Sequence, residues 1–591
     1  MKDFVHLFLS ISVLLSGILL TAGCNHEDSG DTEADDTNST GDSDSTFISD
    51  IDTDDPTSML FTRNHVLEIA IEMSPDDFAT LRAQTRSIFD VLGTNCQEAP
   101  PESPFTYFRA NITIDGQPVN DVGIRKKGFY GSLSEEKPSL KVKFSEYNED
   151  QTYAGEERLT LNNAVSDPSY VKQCLGYDVF ADAGIPAPRC NFAGVTVNGE
   201  YLGVYVNVES IKKRFLRRHF SNDEGHLYEG ALSDFRSGWV DTFQVKTNKD
   251  TPDRSDLADL TAALEDPAAD VVERISPLVD VDAFIRYWAV EYLLMHVDGY
   301  ARNTNNFYLY NDPESEQFYF IPWGIDAIMT KNITLPWETA RPEGAAWVEG
   351  ILARRLYNAP TYQEKYVDML TELIDTVWNE TELVTKIDAF AALIRPYMVD
   401  TERWTFETNV SIVRSFVENR RAEVLAQSAI RPVYTTELRD PMCSAPIGTI
   451  SGTFNTTFGE LDVENPFEAG EATLQITVNG ETIPFVAVSS LSGINEENTP
   501  AVRLVAAVSE TDVWVMEIGK ISEPMFKADA VVPIDWVNSV GILLRIDLSA
   551  GEEFEVMGII GEGTLTFTDA GLSTGDVVSG EFIGDIYEAS F

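Results

Sequence analysis

Asp298-Gly299-Tyr300-Ala301-Arg302-Asn303-Thr304-Asn305-Asn306 is a polar run between apolar segments, and it ends where Phe307-Tyr308-Leu309-Tyr310 begins. Asn311-Asp312-Pro313 is then a turn signal, and Phe318-Tyr319-Phe320-Ile321-Pro322-Trp323-Gly324-Ile325-Asp326 is predicted as a second strand finishing on another carboxylate. A hairpin of the two returns Asp326 towards Asp298. Transfer of a phosphoryl group from a nucleotide needs this layout: an aspartate to orient the attacking hydroxyl, an asparagine further along the loop, and a second aspartate. The last two hold Mg2+ against the phosphates.

Upstream, Gly123-Ile124-Arg125-Lys126-Lys127-Gly128-Phe129-Tyr130-Gly131-Ser132 leads to Lys137-Pro138-Ser139-Leu140-Lys141-Val142-Lys143-Phe144. Gly128 lets backbone N–H groups approach phosphates. Lys141 and Lys143 fall on one face of a strand whose other face is Leu140, Val142 and Phe144. Considered alone, this cluster reads first as a solvated strand face beside a glycine turn. Ser166 or Asp167 is placed to cap a helix that Gly184 terminates. An Asn198-Gly199 hairpin delivers Glu209 just before the basic helix Lys212 to His219; Glu209 then pairs either a nucleotide-binding lysine or Lys212 or Lys213.

The N-terminus reads as an address. Lys2 is followed by the apolar stretch Val5 to Leu20 and by Thr21-Ala22-Gly23-Cys24, which resembles a bacterial lipoprotein signal with Cys24 as the lipidated residue. Residues 25–58 hold twelve Asp or Glu and no Lys or Arg, so they are expected to be a solvated tether, yet most of the net charge of −53 lies beyond them. Nucleic acid and anionic membrane are poor partners for such a surface, and the membrane is expected to be reached only through the lipid. The remaining cysteines, Cys96, Cys174, Cys190 and Cys443, match no zinc motif and in an oxidising compartment allow three pairings. The six histidines offer no His-x-x-x-His pair for zinc hydrolysis.

At 591 residues two or more folded units are expected. His65 to Ile71 alternates as a strand, Ser74-Pro75 opens a helix, and Phe108 to Ile114 pairs with Val122 to Arg125 across Asp115-Gly116. Apolar residues recur at helical spacing from about Asp256 to His296 and from Trp347 to about Ser428. Residues 440–591 are rich in Val, Ile, Thr and Gly at strand spacing and suggest a separate β-sandwich.

Taken together, Arg125-Lys126-Lys127-Gly128, Lys137 to Phe144, Leu161 to Ser169, Ala183-Gly184-Ile185-Pro186, Asn198 to Glu209, Gly225-His226-Leu227-Tyr228, Asp298 to Asn306 and Pro322 to Asp326 resemble the CotH family, the spore-coat protein H kinase-like proteins. The resemblance spans roughly residues 60 to 430. It implies an α+β, two-lobed, divergent protein-kinase-like fold over residues 59–432. It also implies a kinase that uses ATP with Mg2+ to phosphorylate Ser or Thr of secreted or surface proteins. Residue by residue, Asp298 matches the catalytic aspartate, and Asn303 and Asp326 the metal-binding pair. Arg125, Gly128, Ser132, Lys137, Lys141, Lys143 and Glu209 are the candidates around the nucleotide. The family commonly carries Asp-x-Asp after Pro-Trp, whereas Gly324 stands at the first position here, leaving one carboxylate where two are usual. The whole chain is then expected to be an exported lipoprotein at the periplasmic or cell surface. The alternatives are a surface structural or adhesion protein that keeps the scaffold without turnover, and nucleotide-dependent transfer of another group.

Overall fold

The computed structural model describes residues 55–129, 132–249, 252–267, 271–331, 344–536, 538–549 and 553–589. The signal segment, Cys24 and nearly all of the acidic stretch lie outside these residues. Of the latter, Asp55 is already an N-cap, its side chain accepting from Thr57 N at 3.0 Å at the start of the 3-10 helix Pro56–Phe61.

Seven strands close a barrel in the order β1-β2-β3-β4-β5-β7-β6: β1 (Val66–Met73), β2 (Phe108–Ile114), β3 (Gln117–Lys127), β4 (Ser139–Lys143), β5 (Arg158–Asn162), β6 (Cys190–Val197) and β7 (Glu200–Val208). Closure is the parallel pairing of β1 with β6, from Val66↔Phe192 to Ile71↔Val197. Alternation turns Leu67, Ile69, Ile71, Ile112, Ile124, Leu140, Val142 and Leu159 into the barrel interior, each burial worth about 1.5–3 kcal/mol. The same alternation puts Arg125, Lys127, Lys141 and Lys143, half-buried, on the outer face. The predicted Asn198-Gly199 turn joins β6 and β7 with both residues at positive φ, 51° and 86°.

Against the barrel lies a mostly helical body with a four-stranded sheet in the order β11-β10-β8-β9: β8 (His226–Gly230), β9 (Gln244–Val245), β10 (Phe307–Asp312) and β11 (Gln317–Pro322). The predicted hairpin is β10 with β11, in register from Phe307↔Pro322 to Asp312↔Gln317. The first helical stretch resolves into Ser255–Glu265, Val271–Ile275 and Val281–Leu294, the second into Ile351–Tyr357, Pro360–Thr376, Glu380–Ile394 and Arg403–Ser428. Asp280 caps Val281–Leu294 by accepting from Ala283 N at 2.9 Å, and Met295, at φ 55°, ends it. Arg420 donates to two carbonyls of that helix's last turn, Leu293 and Tyr292, the second of which also accepts from Met295 N at 3.1 Å. The four cysteines pair as Cys96–Cys443 and Cys174–Cys190.

The C-terminal region departs from the expected sandwich. Its strands are β12 (Pro446–Gly459), β13 (Glu471–Val478), β14 (Glu481–Thr482), β15 (Ala487–Ile494), β16 (Pro500–Ala507), β17 (Asp512–Gly519), β18 (Val531–Ile534), β19 (Val540–Asp547), β20 (Glu553–Asp569) and β21 (Val577–Tyr587). They form one sheet in which β21 pairs both β12 and β20, so the hydrogen bonding runs round a ring instead of separating into two layers. Register shifts in β20, between Gly561 and Thr564 and between Phe567 and Asp569, let so long a strand bend. Phe89, from the segment between β1 and β2, stacks on Tyr587 with ring centroids 3.7 Å apart and ties this module to the rest.

Candidate active site

The loop between helix Val281–Leu294 and β10 is built around buried Glu291. Its Oε1 accepts from Tyr300 N (2.8 Å) and Tyr287 OH (3.0 Å), and its Oε2 from Ala301 N (3.0 Å). Burial raises the Glu291 carboxyl to about 8 despite these donors. Gly299 is required for the close approach, since a Cβ there would stand 2.2 Å from Glu291 Oε1. So held, the loop turns three asparagine side chains onto Asp298. Asn303 Nδ2 donates to Oδ1 at 2.5 Å, Asn305 Nδ2 to Oδ1 at 3.1 Å, and Asn306 Nδ2 to Oδ2 at 2.6 Å.

Asp326 follows β11 in a short 3-10 turn, Ile325–Ala327. Its position is set by helix Lys172–Asp182, where Gly176 leaves room for Ile325 and Ile328; a Cβ there would come within 2.8 and 2.4 Å of them. Asn306 links the two segments, donating to Asp298 while lying against Gly324, two residues before Asp326, and the Asp326 charge acts on Asp298. Burial first, and the Asp326 charge among the further causes, raises Asp298 above the ordinary carboxylate value; the asparagine donors oppose this. Burial also raises Asp326, opposed by the charges of Lys127 and Lys172. Two partly buried carboxylates and an amide oxygen are hard donors of the kind Mg2+ takes, and like charges facing each other are what a cation between them would relieve.

Gly324 explains how the single-carboxylate version of the family motif is accommodated. It sits at φ +56°, and a Cβ would stand 2.5 Å from Asn306 Oδ1. The space that a side chain at 324 would need is filled by Asn306, which instead donates to Asp298.

Beside the carboxylates, the outer face of β3 and β4, the end of β9 and Lys212 form a cationic wall. Lys127 donates to Asn162 Oδ1, and burial lowers its pKa to about 8 against the attraction of Asp326 and Glu229. Lys141 is lowered well below the usual lysine value by burial and by the like charges of Arg125, Lys246 and Arg158, with Glu229 opposing. Lys212, lowered to about 7, feels Lys246, Arg158 and Lys249 in the same way. Glu229 pairs with Lys246 and is the carboxylate these cations share. Such a surplus of positive charge in an acidic chain matches a polyanion such as a triphosphate.

The sequence candidates therefore divide. Asp298, Asn303 and Asp326 are brought together, and Arg125 and Lys141 join the wall, with Arg125 also donating to Ser103 Oγ at 2.5 Å. Gly128, at φ +136°, makes a turn in which Ser132 Oγ accepts from Phe129 N at 3.0 Å. The other three are engaged elsewhere, which corrects the expectation for each. Lys137, two residues ahead of β4 and so outside its alternation, donates from Nζ to Tyr170 OH at 2.6 Å and lies 3.6 Å from Glu402. Lys143 pairs with Glu146 at 2.7 Å. Glu209 is buried and held by Arg189, whose backbone N and Nη2 donate at 3.0 and 2.9 Å, and by Arg218; among the described residues its charged partners are these arginines.

Lys127, Lys172, Glu229, Glu291 and the asparagines at 305 and 306 were not singled out. Period-two spacing from Arg125 could have found Lys127, since both lie on the outer face of β3. Gly571-Leu572-Ser573-Thr574-Gly575, a Gly-x-Ser-x-Gly run, sits in the turn between β20 and β21, where Ser573 N donates to Asp576 at 2.9 Å; it lacks the strand-to-helix context of a nucleophile elbow.

The family model described as CotH kinase protein matches residues 124–424, which include the whole loop and hairpin. The chain is 24% identical to inner spore coat protein H of Bacillus subtilis (strain 168) over 291 residues, 46% of this chain and 78% of that protein. It is 22% identical to invasin CotH2 of Rhizopus delemar over 277 residues, 42% of this chain and 45% of the invasin, so it spans less than half the invasin's length. Among solved structures, the Helicobacter pylori proinflammatory kinase CtkA aligns at 12% identity with a TM-score of 0.27, over 51% of this chain and 92% of that one. Among the described residues, no helix is long and apolar enough to cross a membrane.

Proposed function

The chain belongs to the CotH kinase protein family, and from that premise we propose that it is an exported, lipid-anchored protein kinase transferring the γ-phosphate of ATP to Ser or Thr of secreted or surface proteins. The observation that carries this reading is the pairing of Asp298 with Asp326 beneath a wall of lysines. Asp298, fixed by three amide donors, would orient the acceptor hydroxyl and receive its proton; its raised pKa suits that exchange. Asp326 and Asn303 would hold Mg2+, which when bound neutralises charge on the phosphates. Lys127, Lys141 and Arg125 would bind the triphosphate and fix its orientation, so that little beyond positioning and charge neutralisation is asked of the chain. Anchoring through Cys24 and placement at the periplasmic or cell surface complete the reading. They accord with the signal-like N-terminus and with relatives described as spore coat protein and invasin.

A second reading, a non-catalytic surface protein on the same scaffold, has Gly324 in its favour. Labelled ATP with Mg2+ decides between them. Transfer to the chain itself or to co-incubated surface proteins should be seen with the wild type and lost in Asp298→Ala and Asp326→Ala. Equal labelling of all three would remove the assignment of these residues, and absence of labelling in the wild type would favour the scaffold.

A further inference from the structure

The cation site described above rests on Asn303 offering Oδ1, and that atom already has a positively charged partner. Arg439 Nη1 donates to Asn303 Oδ1 at 3.0 Å, while Nη2 donates to the Asn303 carbonyl at 2.8 Å and to Thr304 Oγ1 at 2.9 Å. Because Asn303 Nδ2 donates to Asp298, the amide is oriented by a carboxylate on one side and a guanidinium on the other.

Arg439 arrives on a strap between helix Arg403–Ser428 and β12, fastened along its length. Asn358 Nδ2 donates to the Tyr434 carbonyl (3.0 Å), Arg354 Nη1 to that of Thr436 (2.6 Å) and Arg236 Nη1 to that of Arg439 itself (2.8 Å). Beyond it, Met442 is buried against Val91 and Leu92, and Cys443 is bonded to Cys96. The strap belongs to neither the family match, which ends at 424, nor the β-rich module.

We propose that the strap is a latch on the cation site: Arg439 and a divalent cation compete for Asn303 Oδ1, and loading requires the guanidinium to withdraw. This rests on the kinase reading of that site. Mg2+ binds oxygen at about 2.0–2.1 Å and tolerates little distortion, so a guanidinium hydrogen-bonded to the same atom would be a second cation within a few ångströms, and the two repel. The Cys96–Cys443 bond pins the strap close to the latch, so opening it should weaken the latch without removing Arg439.

The test is Mn2+ binding to the full chain, read from the spin resonance of free Mn2+ with no turnover involved. Arg439→Ala should bind Mn2+ about tenfold more tightly than wild type, in line with loss of a charged hydrogen-bonding competitor. Arg439→Gln should shift the same way, and Cys443→Ser should follow by a smaller factor, with near-ultraviolet circular dichroism confirming that each variant is folded. Unchanged or weaker binding in both Arg439 variants, while Asp326→Asn still loses Mn2+, overturns the latch and leaves the cation site standing. Indifference of Mn2+ binding to Asp326→Asn and Asn303→Ala as well overturns the site and the latch together.

Discussion

Two regions of this chain bury charge, and they do so in opposite ways. In the C-terminal module, Arg503 is buried and fully matched: Nε donates to Glu517 Oε2 at 2.7 Å, Nη2 lies 2.6 Å from the same oxygen, and Nη1 donates to Asp462 at 2.9 Å. Its pKa is raised, since its partners outweigh burial. In the cleft, Asp298 faces Asp326 and Lys141 faces Arg125, Lys246 and Arg158, so like charge is gathered on each side. Matched burial specifies a structure; gathered like charge costs stability and is kept where a ligand of opposite sign completes it.

The sharpest break in that comparison is Arg503→Ala, which strands Glu517 in the core. It should lower the module's stability by about 3–5 kcal/mol in denaturant melts and leave nucleotide affinity alone. An effect of Arg503→Ala on nucleotide binding would undo the separation of the two regions. Asp298→Asn in the cleft should do the reverse. Phosphoryl transfer should fall by about 10²–10³-fold, while the midpoint of unfolding moves little, because relief of the repulsion from Asp326 is offset by loss of one acceptor oxygen for the asparagine amides; a large fall in stability would make Asp298 structural.

Glu291 gives a pH test of the same contrast. Its folded-state pKa lies above the ordinary glutamate value, so the unfolded chain releases a proton that the folded chain keeps. Stability from this group is therefore greatest at low pH and declines as pH rises from the usual carboxylate range to about 8. Glu291→Gln should flatten that part of the stability profile, and an unaltered slope would contradict the account. The smallest effects separate two lysines of one strand. Lys141→Met should weaken ATP binding about tenfold, and Lys143→Met, which removes the contacts with Glu146 and the Tyr107 ring, should change affinity by less than about twofold. Equal losses would mean that the wall extends past Lys141.

The hairpin from Phe307 to Pro322 was legible because a turn signal stood between two apolar runs, and that hairpin is what returns the Asp326 segment towards Asp298. The alternation of β4 likewise separated Lys141 from Leu140 and Val142. What alternation cannot supply is which strand faces the cleft and what meets each cation there. Lys143 found Glu146, three residues on in the turn after β4, whereas Lys137 found Glu402 and Glu209 found two arginines, partners fixed by tertiary packing. The same holds for Glu291, whose role depends on where a loop folds back, and for the C-terminal ring, where strand spacing announces β structure but bulges in β20 decide closure.

The most direct test of the central claim, that Asp298 and Asp326 converge on one cation-bound nucleotide, is calorimetric titration of ATP with and without Mg2+ into wild type and Asp326→Asn. The account predicts that wild-type affinity drops at least about tenfold when Mg2+ is withdrawn, and that Asp326→Asn binds weakly whether Mg2+ is present or not. Mg2+-dependent binding of equal strength in both proteins would contradict it.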